Sequence, residues 1–314
     1  MRLCRFRYQS TIAGGFYSED GIVAIATAAE AWEKARCQRL DMGSGEQLLD
    51  YLPGGVHFDA ARDLHAFVRS GGVPAVDMLT PQDVQLLVPI PRPNKLLLLA
   101  GNYARHIEEG GGQAAERRET FPYVFMKPPS TTLTDPGQPV LLPQISPNHI
   151  DWELELAVVI GRLARHVREA DALNYVAGYT IVNDISDRKF RPNPSRTLRE
   201  KDSFFDWLHG KWHDSFCPCG PCIASADSIP DPQSLPLQLR VNGKLHQNST
   251  TAAQVFPVAA IIEFISSFVT LEPGDIISTG TPHGVGNASG TWLRSGDRIE
   301  ASIGSIGVLT TPVQ

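Results

Sequence analysis

Between Asp151 and Leu156 the chain alternates acidic and apolar residues, Asp-Trp-Glu-Leu-Glu-Leu, and then runs through Ala157, Val158, Val159 and Ile160 without a polar side chain. Alternation that gives way to an unbroken apolar run is the pattern of a β-strand that leaves the core at one end and is covered on both faces beyond it. Residues two apart share a face, so Glu153 and Glu155 project together, opposite Trp152, Leu154 and Leu156. Two carboxylates on one face at the margin of a core repel each other. A hard cation cures that repulsion, and Mg²⁺ is commonly held by carboxylates together with water and substrate oxygens. Asp184, at the end of a second apolar strand over Gly178–Asn183, is the natural third ligand. A solvated sheet face produces the same alternation, so spacing alone leaves both readings open.

The chain has 314 residues, enough for about two domains of roughly 150 residues. Its 42% apolar and 20% charged residues exclude a disordered chain, and the net charge of −6 offers no basic field for nucleic acid or an anionic membrane. Small-molecule chemistry is the expectation that remains. The five cysteines, Cys4, Cys37, Cys217, Cys219 and Cys222, are an odd number and argue against a secreted disulfide framework. No run of 18 apolar residues is present, and the opening Met-Arg-Leu-Cys-Arg-Phe-Arg lacks the apolar stretch of a signal peptide, so a soluble cytoplasmic protein is expected.

Residues 1–80 read as a small α+β unit and 81–314 as the main body. The first unit opens with a strand over Met1–Tyr8. Ser44 and Gln47 have the spacing of a capping box ahead of Leu48, and a helix around Ala60–Arg69 should stop at Gly71-Gly72. Pro81, Pro89, Pro91 and Pro93 mark an extended connector. Beyond it, strands are expected at Lys95–Ala100, Trp152–Ile160, Val176–Asp184, Ile276–Thr279, Arg298–Ile303 and Gly307–Val313. Asn242-Gly243 joins Leu237–Val241 to Lys244–Gln247 as a hairpin with a type I′ turn. Pro257–Val269 is the clearest helix, and Glu272-Pro-Gly-Asp275 is a turn. Strands that do not alternate regularly with helices imply a mainly antiparallel α+β body rather than a doubly wound sheet.

Three further segments carry candidate chemistry. His106 and Glu109 stand three apart, neighbours on a helical turn, where the carboxylate can hold the imidazole as a general base; a glycine-capped surface helix has the same spacing. The glycines at 110–112 suit a lid that closes. Thr279-Gly-Thr-Pro-His-Gly-Val-Gly286 fits neither phosphate-binding fingerprint, but offers N–H groups and hydroxyls to a carboxylate. Cys217-Pro-Cys219-Gly-Pro-Cys222 lacks the paired CxxC spacing of structural zinc and reads as a tight turn with free thiols. No GxSxG elbow supports a serine hydrolase.

In order along the chain, NYARHIEE, PYVFMKPPS, DWELELAVVIG, VAGYTIVNDISDR, the GK-x-x-D-x-F-CP-x-GP segment from Gly210 and STGTPHGVG resemble the fumarylacetoacetate hydrolase family, in its branch with a small N-terminal domain. The resemblance implies a mixed β-sandwich roll, a homodimer, and Mg²⁺ or Mn²⁺ bound by Glu153, Glu155 and Asp184. It further implies a water-activating dyad of His106 and Glu109 on a mobile lid, with Lys211 and Arg188 as catalytic cations. Lys127, Gly280 and Thr281 fall at positions implied to bind substrate. The implied activity is metal-dependent hydrolysis of a C–C bond in acylpyruvate-type 2,4-diketo acids. Alternatives on the same scaffold are 2-oxo acid decarboxylation, as of oxaloacetate, and isomerisation or tautomerisation of a 2-hydroxydienoate. This chain departs from the family where a glutamine is usual: Arg191 stands there, and Trp212 and His213 replace smaller residues after Gly210-Lys211. Extra cations at the site, Lys189 and Arg191, would favour a second carboxylate on the substrate; alternatively they face solvent or the dimer partner.

Overall fold

The computed structural model describes residues 1–80, 82–114 and 117–314, so Pro81 of the expected connector lies outside the described residues. Its main feature is an eleven-stranded sheet. Along it lie Ile22–Ala24, Thr11–Tyr17, Arg2–Tyr8, Cys217–Ser225, Val176–Asn183, Leu154–Ile160, Ile276–Ser278, Leu96–Ala100 and Tyr123–Met126. Two short strands, Gln85–Leu87 and Leu133–Thr134, join from the side. Pairing is antiparallel except between Ile276–Ser278 and Leu96–Ala100 and between Cys217–Ser225 and Leu133–Thr134. A four-stranded antiparallel sheet of Lys244–Thr250, Pro236–Val241, Arg298–Ile303 and Gly307–Pro312 packs on one side. The fold is the mixed, mainly antiparallel α+β arrangement expected.

Both apolar runs are doubly covered, for the reason their composition suggests. Leu154, Leu156, Val158 and Ile160 meet Leu237, Leu239, Ile299 and the helix Val258–Phe268 in one core. Ala157 and Val159 meet Leu3, Phe16, Leu48, Tyr51 and Leu64 of the N-terminal segment in the other. Leu97 and Leu99 likewise enter the first core, Leu96 and Leu98 the second. The N-terminal strands continue the same sheet, through pairs such as Leu3 with Ile223.

Local expectations fare unevenly. The hairpin turns on Asn242 (φ 50°) and Gly243 (φ 78°), as a type I′ turn requires. The second N-terminal helix spans Phe58–Arg69 and ends before Gly71. The capping box does not form: Leu48–Tyr51 is a single 3₁₀ turn whose N-cap, Gln47, makes no side-chain cap bond, and Pro53 follows too closely for a longer helix. The connector is not wholly extended linker, since Gln85–Leu87 pairs with Arg5–Arg7. The cysteine segment is no turn. Cys217–Ser225 is a fully buried strand between Arg2–Tyr8 and Val176–Asn183, where the three thiols pack as small apolar groups.

Candidate active site and metal centre

Glu153, Glu155 and Asp184 converge at the end of the paired strands Leu154–Ile160 and Val176–Asn183, each offering an oxygen within 4.8 Å of the others'. All three are buried. The backbone locks this meeting, because Asp184 N–H donates to the Glu153 carbonyl (2.8 Å) and Glu153 N–H to Asn183 Oδ1 (2.9 Å). Glu155 Oε2 accepts from Ser278 Oγ (2.6 Å) and Gly280 N–H (2.8 Å), whereas its Oε1 is buried without a partner. Burial, added to the charges of Asp184 and Glu153, pushes the Glu155 carboxyl well above its usual range. Three hard oxygen donors around an orphaned carboxylate oxygen fit a divalent cation.

Cations surround this trio. Lys211 Nζ donates to Glu153 Oε2 (2.7 Å) and Asp184 Oδ2 (2.6 Å), and sits 5.4 Å from the Phe125 ring centre. Arg188 donates from Nε to Asp151 Oδ2 (2.8 Å) and from a terminal nitrogen to Glu153 Oε1 (2.5 Å). Burial opposes ionisation of Glu153, but Arg188 and Lys211 outweigh it and hold the carboxyl far below its ordinary value.

The short helix Ala104–Glu109 brings His106 Nδ1 to 2.9 Å from Glu109 Oε1, the neighbour relation expected of their spacing. Glu109 Oε2 in turn accepts the Gly284 N–H at 2.9 Å. Gly284 has φ +96°, and a Cβ there would lie 2.2 Å from the His246 carbonyl oxygen, so only glycine presents this N–H without strain. Burial opposes ionisation of Glu109 too, yet the bonds from His106 and Gly284 leave its carboxyl below the usual range. His106 lines a cavity of about 160 Å³ with Glu153, Arg188, Lys211, Thr281 and Trp207.

Two implied substrate ligands sit elsewhere. Lys127 Nζ is fully buried and donates to Asp184 Oδ1 (2.6 Å), the Ile185 carbonyl (3.0 Å) and the Phe216 carbonyl (2.6 Å). All three ammonium protons are thus engaged, so Lys127 positions Asp184 from behind rather than contacting substrate. Gly280 N–H is engaged by Glu155, which makes it a support of the acidic trio. Thr281 does line the cavity; its hydroxyl donates to the Leu154 carbonyl (3.0 Å) and accepts from Gln247 Nε2 (2.8 Å). Arg191 and Lys189 are exposed and do not line the cavity, which removes the expected extra cations. Trp212 donates from Nε1 to the Met126 carbonyl, and His213 packs between Phe190 and Phe216.

Sequence reasoning missed Asp151 and Trp207. Asp151 is fully buried and accepts from Gly286 N–H (2.6 Å), Asn287 N–H (3.0 Å) and Arg188, tying the glycine-rich loop to the cation. Its signal was present, since Asp151, Glu153 and Glu155 follow one period-two series. Trp207 gave none beyond its nearness to Lys211.

Residues 95–314 match the family described as fumarylacetoacetate (FAA) hydrolase C-terminal. The chain is 37% identical over 238 residues to a mitochondrial oxaloacetate tautomerase of Xenopus laevis, covering 75% of this chain and 70% of the relative. Among solved structures, maleylpyruvate hydrolase of Sphingobium sp. SYK-6, in complex with manganese(II) and pyruvate, superposes with a TM-score of 0.73 at 30% identity, covering 100% of this chain and 98% of that one. A 2-hydroxyhepta-2,4-diene-1,7-dioate isomerase of Mycobacterium marinum superposes with a TM-score of 0.69 at 29% identity, covering 100% and 98%. No helix among the described residues is long and apolar enough to cross a membrane. With its matched body, its acidic trio and these relatives, the chain belongs to the fumarylacetoacetate hydrolase family.

Proposed function

We propose that this protein is a divalent-metal-dependent hydrolase of a carbon–carbon bond in an acylpyruvate-type 2,4-diketo acid. One observation carries this reading: His106, held at 2.9 Å by an anchored Glu109, lines the same cavity as Glu153, Arg188 and Lys211. Glu153, Glu155 and Asp184 would hold Mg²⁺ or Mn²⁺, and when bound that ion supplies Lewis-acid stabilisation for the enolate that departs.

The remaining chemistry belongs to the side chains. With Nδ1 turned to Glu109, His106 is left with Nε2 to take a proton from water, and Glu109 steadies the imidazolium. The hydroxide adds to the distal carbonyl carbon, the C–C bond breaks, and the proton on Nε2 goes to the departing carbon. The products are a carboxylic acid and a 2-oxo acid. Arg188 and Lys211 keep cationic N–H groups at the cavity wall, where substrate carboxylate and developing negative oxygen need them. The pyruvate and manganese held by the Sphingobium hydrolase support this reading by analogy.

A second reading, tautomerisation of oxaloacetate, is favoured by the 37% identity to the Xenopus enzyme. The same base would then move a proton between carbon and oxygen of the substrate, without water. Purified protein with Mn²⁺ should be given acetylpyruvate, fumarylpyruvate and enol-oxaloacetate. Hydrolysis yields two acids from one diketone, and tautomerisation consumes the enol with no new acid. Turnover of enol-oxaloacetate with no cleavage of either diketo acid overturns the first reading in favour of the second. A homodimer and a cytoplasmic location belong to the same proposal, and light scattering and cell fractionation test them. So does the division into units 1–80 and 81–314, for which limited proteolysis near residue 80 is the test.

A further inference from the structure

The cavity is lined by His106, Glu153, Arg188, Lys211 and Thr281 together with Trp207, the bulkiest side chain among them, whose ring centre lies 5.9 Å from Lys211 Nζ. At about 160 Å³ the space is well below the roughly 300–1,000 Å³ of pockets that enclose drug-sized ligands.

Trp207 cannot easily give way. It sits on the helix Asp202–His209, edge-on to Phe125 with ring centres 5.0 Å apart. The preceding strap clamps the start of that helix: Arg196 Nε and Arg199 Nε each donate to Asp202 at 3.0 Å, and Arg196 also pairs with Asp206. The far end is jammed against the short strand Ser186–Asp187, which Arg188 follows. Asp187 N–H donates to the Gly210 carbonyl (2.9 Å), and a Cβ on Gly210 would lie 2.4 Å from the Asp187 carbonyl oxygen. The His106 helix has only six residues, is followed by Gly110-Gly111-Gly112, and meets the glycine-rich loop through the bond from Gly284 N–H to Glu109.

We propose that Trp207 is a specificity-determining residue that limits the volume of the cavity and restricts it to compact 2-oxo acids, excluding those with a bulky or aryl tail. This rests on the reading of the site as one for 2-oxo acids, and deepens it by fixing the size of the substrate. Trp207 acts by occupying space and makes no hydrogen bond to the acidic trio, so its removal should relax selection by size while the charged groups of the site stay in place.

Calorimetric titration of the Mn²⁺-loaded full chain with oxalate, pyruvate and phenylpyruvate tests this without turnover. The wild type should bind oxalate and pyruvate and discriminate against phenylpyruvate. Trp207→Ala should leave oxalate affinity unchanged and improve phenylpyruvate affinity by roughly tenfold or more, the scale on which an apolar pocket discriminates by size. Trp207→Leu, which keeps an apolar side chain on the helix, should shift in the same direction and serves if the alanine variant melts early. Wild-type binding of phenylpyruvate as tight as that of pyruvate overturns the proposal. So does an unchanged phenylpyruvate affinity in variants that still bind oxalate. Failure of the wild type to bind oxalate at all refutes instead the 2-oxo acid reading on which it rests.

Discussion

Lys211 Nζ stands between Glu153 Oε2 and Asp184 Oδ2, at 2.7 Å and 2.6 Å, and so bridges two of the three carboxylates that fit a divalent ion. It is an internal counter-charge of the acidic trio, beside Arg188 on Glu153 and Lys127 on Asp184. Removing it by Lys211→Met should cost the metal-free protein about 3–5 kcal/mol, the usual result of deleting one partner of a buried ion pair. Mn²⁺ should recover much of that loss, so melting with chelator and with Mn²⁺ should show a wider gap in the variant than in the wild type. An equal gap in both proteins would mean that Lys211 does not neutralise the trio.

Metal binding should itself depend on pH. The carboxyl of Glu155 is raised by burial and by its acidic neighbours, so protons compete with an incoming cation for it more strongly than for an ordinary carboxyl. Mn²⁺ affinity should therefore rise with pH, with proton release visible when titrations are compared in buffers of different ionisation enthalpy. An affinity flat from pH 6 to 8 with no proton release would contradict this.

Glu109→Gln keeps the shape of the dyad but removes the charge that steadies a protonated His106. Turnover should fall by roughly 10²–10⁴-fold, the range typical of a lost general base. Mn²⁺ affinity should hardly change, because Glu109 is not among the three converging carboxylates. Parallel kinetics and metal titration check both halves. Gly284→Ala attacks the same dyad from its backbone anchor. It forces a side chain into φ +96° against the His246 carbonyl, at a cost on the order of 1–3 kcal/mol, and should reduce turnover as well.

Away from the site, burial beside Phe16, with Arg69 nearby, lowers His65 from 6.5 to about 4. Between these values the unfolded chain binds a proton that the folded chain refuses. Stability contributed by the neutral ring is thus complete above pH 6.5 and declines as pH falls toward 4. His65→Phe should flatten this acid slope, and urea melts at pH 7.5 and 5 would reveal it. An unaltered slope would place the acid sensitivity elsewhere.

What could be read from residue order was whatever local physics decides. Alternation placed the strand of Glu155, which begins at Leu154 rather than Trp152 and so leaves Glu153 just before it; apolar runs marked the doubly covered strands, and Asn242-Gly243 specified its turn. Spacing likewise put His106 against Glu109. Where distant partners decide, the reading failed. Pro218, Gly220 and Pro221 look like a turn, yet Ile181 and Val182 pair with Gly220 and Cys219 while Leu133 and Thr134 pair with Cys217 and Pro218, and the segment is held as a strand. The resemblance puts Lys127 among substrate-binding positions, and nothing nearby in the sequence reveals that Asp184, Ile185 and Phe216 engage its three donors. Trp207 stayed hidden because its role depends on where a clamped helix lands.

The pairing of Arg2–Tyr8 with Cys217–Ser225 bears on how the protein is made. At translation speeds of 5–20 residues per second, the first strand waits on the order of 10–40 s for its partner to be synthesised. Until then Arg2 and Leu3 lack their neighbours Ala224 and Ile223, although the strand is already able to pair with Thr11–Tyr17. Transient shielding of the nascent N-terminal segment is therefore a demand built into the topology, and production at low temperature or with holdase chaperones should raise the yield of correctly assembled protein.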